Sequence, residues 1–185
     1  MNTKTKTILI ICLIGFGVVS RFLPHPSNFT PVVGIAIFAS YYFGLRYSTV
    51  AVLAIMLLSD IFIGFYHWEM MAVVYGSMLA ASAIGSLTTK PTAVNVFMKT
   101  LGSSLLFYLV TNWAVWQFGT MYEKSLSGLM QSYMMAIPFF KNSLAGDIFY
   151  TSVLFGAVYL ATFYPVLKVR WLQFTQSRVN LPQHE

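Results

Sequence analysis

Six stretches of this chain are long and strongly apolar, and they follow one another with short breaks: residues 7–22, 31–44, 47–66, 70–87, 100–119 and 142–164. Lipid offers no partner to a bare backbone N–H or C=O, so each stretch must satisfy its own hydrogen bonds, and segments of this length do so as helices. Only 9% of the 185 residues are charged while 57% are hydrophobic, against about 25% charged in a soluble domain. The expected fold is all-α: a polytopic membrane protein with six transmembrane helices forming one domain over residues 1–185.

The net charge of +6 raises the question of nucleic acid. The Lys and Arg residues form no stripe or dense run, so no nucleic-acid partner is expected. They sit in the breaks between apolar runs and act as topology signals. Lys4, Lys6, Arg46, Lys90, Lys99, Lys168, Arg170 and Arg178 fall on one side, and Arg21, Lys124 and Lys141 on the other. That excess places both termini in the cytoplasm. The first run has the shape of a signal peptide, with Lys4 and Lys6 ahead of a short apolar core and Val18-Val19-Ser20 behind it. The runs that follow favour a retained first helix. The one cysteine, Cys12, has no partner for an internal disulfide.

Three breaks carry structure of their own. Residues 21–31 contain Pro24, Pro26 and Pro31, which forbid a continuous helix. Irregular backbone this apolar reaches membrane depth only under cover of protein or along a cavity. Residues 123–140 place Leu126, Met130, Tyr133 and Ile137 at helical spacing, with Ser125 as N-cap and Pro138 as stop. They read as an amphipathic outer helix lying on the surface, separate from the last span, which Pro165 closes. Span four sets Gly76 with Ala80, Ser77 with Ala81, and Ala81 with Gly85, a small-residue pattern that admits another helix closely.

Costly polar groups mark the function. A carboxylate near the middle of a spanning helix costs roughly 2.5–3.5 kcal/mol on insertion scales, and Asp60 sits inside the apolar run 57–68. With this topology Arg21, Asn28, Asp60, Asn112, Asn142 and Asp147 all fall in the outer half. Helical spacing puts Asp60, Gly64 and His67 on one face of span three, and Tyr108, Asn112 and Trp116 on one face of span five. Asp147 falls in the first turn of span six, where the helix dipole favours a carboxylate. Lys141 lies just before that turn.

The chain carries no Gly-x-Ser-x-Gly, no His-Glu-x-x-His and no phosphate loop. No catalytic residue, metal ligand or cofactor is therefore assigned, and an enzyme is not expected. Asp60 and Asp147 as paired carboxylates would be the one route to acid–base chemistry.

Four motifs carry a resemblance. They are Arg21…Pro24…Asn28-Phe29-Thr30-Pro31, Ser59-Asp60…Gly64-Phe65, Thr111-Asn112…Trp116, and Ile137-Pro138-Phe139-Phe140-Lys141-Asn142…Gly146-Asp147. Over roughly residues 20–160 the chain resembles a family of small six-span bacterial membrane proteins. These are similar to the substrate-binding S-components of energy-coupling-factor vitamin transporters. The resemblance implies a bundle in the bacterial inner membrane that binds a vitamin or related micronutrient in an outward pocket. It would work with an ATP-driven energising module or alone. The expected ligand-binding residues are Arg21, Asn28, Asp60, His67, Tyr108, Asn112, Trp116, Lys141, Asn142 and Asp147, and the expected partners are a small molecule and membrane lipid. The alternative is a structural or assembly subunit of a larger membrane complex.

Overall fold

The computed structural model describes residues 3–87 and 91–179, with side chains as far as residue 163. Lys90 and the side chains of Lys168, Arg170 and Arg178 lie outside the described residues. The chain is helical throughout: α1 (Thr3–Phe22), α2 (Val32–Phe43), α3 (Leu45–Ile63), α4 (Trp68–Ser86), α5 (Ala93–Phe118) and α6 (Leu126–Val179). It divides into two compact units, Met1–Thr151 and Ser152–Glu185. In the second unit the rings of Tyr159 and Phe163 stack 4.3 Å apart, one helical turn separating them.

Five helices are long and apolar enough to cross a membrane: α1, α3, α4, α5 and the stretch Leu126–Phe163 of α6. The exception is α2. Its 12 residues extend about 18 Å, short of the roughly 30 Å hydrocarbon core. Yet α2 is the most enclosed element, every side chain from Val32 to Ser40 being buried. It packs against α1, α3, α4 and α5.

Small residues make that central position possible. A Cβ on Gly85 of α4 would lie 2.9 Å from Ser40 Cβ and 3.0 Å from Ile37 Cα, so only glycine lets α4 close on α2. Ser77, Ala81 and Gly85 are the buried members of the small-residue pattern in span four, and the neighbour of Gly85 is α2 of the same chain. Buried serines add polar ties. Ser40 donates to the Ser82 carbonyl (2.7 Å), and Ser48 on α3 donates to the Ala36 carbonyl and accepts from the Ser82 hydroxyl (both 2.7 Å). Such interhelical bonds contribute about 0.6 kcal/mol each in membrane proteins.

Several boundaries differ from the sequence reading. The outer helix and the last span are one element: α6 starts at Leu126 and runs without a break through Pro138 and Pro165. Proline removes one backbone donor and crowds the preceding turn, which bends a helix without having to end it when neighbours hold both sides. Ser125 is the N-cap as expected, its hydroxyl accepting from Gly128 N at 3.1 Å. Lys99 is no loop residue. Thr92 caps α5 by accepting from Asn95 N, and Lys99 within α5 donates to the Gly85 carbonyl at 2.6 Å, closing the end of α4.

Candidate functional site

Two buried aspartates organise the polar interior of the first unit. Asp60, 1% exposed, stands near the end of α3, where Gly64 at φ 109° breaks the helix. Its Oδ1 pairs with Arg21 Nη2 of α1 at 2.8 Å, and its Oδ2 accepts from the Tyr75 hydroxyl of α4 at 2.7 Å. The other prong of the guanidinium donates to Ser59 Oγ. One fork thus grips two successive residues of α3, and three helices meet on a compensated charge. Tyr66, in the loop beyond α3, has its phenol raised above the ordinary range by burial and by the Asp60 carboxylate, with Arg21 opposing.

Asp147, 2% exposed, is held differently. Ser104 of α5 donates to its Oδ2 at 2.6 Å, and the Ser143 hydroxyl, one turn back on α6, also bonds the carboxylate. Among the described residues the Arg21–Asp60 contact is the only ion pair. The helix-dipole account of Asp147 falls away, because α6 begins at Leu126 and the dipole acts only within the first turn. Among the described residues Asp147 has hydroxyl partners and no cation.

A four-residue row on α5 faces α6 and sets the geometry. Thr100 reaches Thr151 Oγ1 (3.4 Å), Ser104 reaches Asp147, and Tyr108 donates to the Tyr133 carbonyl (2.7 Å) and packs its ring on Phe140, centroids 4.6 Å apart. Beyond these, Ser132 donates to the Asn112 carbonyl at 3.3 Å. Toward the end of α5 the row changes role. Trp116 Nε1 donates to the Glu123 carbonyl at 2.8 Å, and Lys124 donates to the carbonyls of Trp116, Gln117 (2.9 Å) and Gly119 (2.7 Å). Lys124 therefore caps α5, and Trp116 folds the following loop back on it.

The proline-rich break 23–31 reaches the interior as a cavity wall. A turn closed by Phe29 N to the Pro26 carbonyl (3.0 Å) puts Asn28 at φ 66°, a left-handed conformation that asparagine tolerates better than most. Gly146 of α6 makes room for it, since a Cβ there would lie 3.0 Å from Phe29 Cα. The Phe29 ring packs on Tyr150 at 5.5 Å.

Two recesses result. One of about 320 Å³ lies between α5 and the start of α6, with Tyr108, Asn112, Ser132 and Phe140 on its walls and Met121 and Tyr122 from the connecting loop. The other, of about 220 Å³, is lined by Arg21, His25, Thr30, Met56, Met78 and Asp147 among others. Asn28, Phe107 and Ser143 line both, so the recesses share a wall.

Of the residues singled out from sequence, Arg21, Asn28, Tyr108, Asn112 and Asp147 line these recesses; Asp60 stands behind Arg21. His67, Trp116, Lys141 and Asn142 line neither. His67 does not share a face with Asp60, because α3 ends at Ile63; it is exposed and precedes α4. Lys141 is exposed on α6 and Asn142 half-buried. Sequence reasoning passed over Ser104, Phe107 and Ser143. Extending the row from Asn112 and Tyr108 back by four finds Ser104, and one turn back from Asp147 finds Ser143. Among the described residues no three His, Cys, Asp or Glu side chains gather where a metal ion could be held.

The family model described as "Family of unknown function (DUF6580)" matches residues 1–169, and the chain belongs to that family. No curated protein matches the chain. No solved structure matches it either.

Proposed function

We propose that this member of the DUF6580 family is a membrane protein that binds a small organic molecule for uptake. The ligand would occupy the adjoining recesses between the 23–31 break, α5 and α6. The observation that carries the reading is their shared wall of Asn28, Phe107 and Ser143. It joins an amide-rich, aromatic compartment to one holding an arginine and a buried carboxylate. Sites for small molecules are largely apolar concavities with a few convergent polar groups. Asn112 and Asn28 would meet the polar edge of the ligand and Tyr108 with Phe140 its ring.

The likeness to vitamin-binding S-components belongs to this proposal, as do the six-pass arrangement with α2 as a short central crossing, cytoplasmic termini and an outward-facing recess. Transport would run alone or with an ATP-driven module. The assembly-subunit alternative draws on the small residues of α4 and on the missing catalytic motif. Gly85 is occupied by α2, whereas Gly76 has open space beside it, so a partner helix would have to use the row of Gly76.

The test is mass spectrometry of small molecules retained by the full-length protein purified in mild detergent. The wild type should retain one stoichiometrically, and Ser143→Trp, which fills the shared wall, should lose it. Retention unchanged in Ser143→Trp, or none in the wild type, rejects the reading. Co-purification of a stoichiometric membrane partner that Gly76→Leu releases would favour the assembly role.

A further inference from the structure

Among the described residues that line the smaller recess, one carboxyl group has no counter-charge. Arg21 and Asp60 cancel at 2.8 Å. Met56 and Ile63 from α3, Val74 and Met78 from α4, and Phe107 from α5 contribute no charge. His25 on the 23–31 break turns its Nδ1 to the Pro26 carbonyl at 2.8 Å. Asp147 remains, with Ser104 and Ser143 supplying hydrogen bonds but no positive charge. In a low-dielectric wall an uncompensated carboxylate is costly, and a cation brought to it is held strongly.

We infer that the smaller recess takes the positively charged end of a monocationic ring compound, with Asp147 as its counter-ion. This rests on the recess reading above and adds the charge class of the ligand. Space excludes a bare inorganic ion as the natural occupant: about 220 Å³ is several times the roughly 30 Å³ share of a water molecule. Hard cations also want six or more oxygen ligands, whereas half of the residues in this wall are aliphatic or aromatic. Phe107 lines both compartments, and aromatic rings attract cations. One carboxylate without a counter-charge matches one positive charge on the ligand.

The experiment is equilibrium binding to the full-length protein in detergent with three ligands of one ring size: cationic 1-methylnicotinamide, neutral nicotinamide and anionic nicotinate. The wild type should prefer 1-methylnicotinamide over the other two by about tenfold or more. Asp147→Asn, which keeps the hydroxyl partners, should erase that preference while nicotinamide binding persists. The wild-type series needs no variant and decides the matter alone if Asp147→Asn misfolds. Preference for nicotinamide or nicotinate overturns the charge assignment and leaves the recess reading standing. So does stabilisation by sodium ions that competes with 1-methylnicotinamide. Binding of none of the three overturns the inference, and the recess reading is then decided by the retained-ligand mass spectrometry.

Discussion

The two aspartates of this chain sit at nearly equal burial in one helical unit, and the molecule treats them in opposite ways. Asp60 has a guanidinium, a phenol and three helices around it. Asp147 has two serines. The difference teaches where to look for a site: a buried charge that is fully answered by its own fold is a brace, and one left unanswered beside a cavity is available to something else. Breaking one partner of a buried ion pair costs far more than altering a carboxylate that never had one.

The comparison is broken most severely at the brace. Arg21→Met should lower stability by about 3–5 kcal/mol, read as thermal unfolding in detergent, because Asp60 keeps its charge and loses its cation. Arg21→Met combined with Asp60→Leu should recover most of that loss. If the double variant is no better than the single, Asp60 is not held as a pair.

A second variant disturbs the Asp147 region without touching a charge. Gly146→Val forces a side chain onto Phe29 and should cost about 1–3 kcal/mol, the usual range for overpacking. It should also weaken binding of 1-methylnicotinamide, since Asn28 and Thr30 move with Phe29. Unchanged binding would detach the 23–31 break from the site. The smallest expected change sharpens the comparison inside the brace: Tyr75→Phe removes one bond to Asp60 and should cost about 1 kcal/mol, leaving ligand binding intact.

The apolar helices and the conspicuous polar groups were legible in the sequence because each charge in an apolar run is expensive and therefore visible. Serine and threonine are not. Ser104 can return its hydroxyl to the Thr100 carbonyl at 2.9 Å, so it costs little in a lipid-facing helix and draws no attention, although it is what holds Asp147. Pro138 misled for the opposite reason. Its local rule is strong, yet α6 continues across it because α5 packs both before and beyond, through Tyr108 with Tyr133 and Ser104 with Asp147. His67 was placed on the Asp60 face by spacing alone, and the positive φ of Gly64 ended the helix first.

Both halves of the account meet in one measurement: thermal unfolding of the wild type, Asp60→Asn and Asp147→Asn side by side, each alone, with 1-methylnicotinamide and with nicotinamide. Asp60→Asn should show a large drop. Asp147→Asn should stay within about 1 kcal/mol of the wild type, with a response to 1-methylnicotinamide no larger than its response to nicotinamide. Equal drops in the two variants, or a response to 1-methylnicotinamide in Asp147→Asn as large as the wild type's, would contradict it.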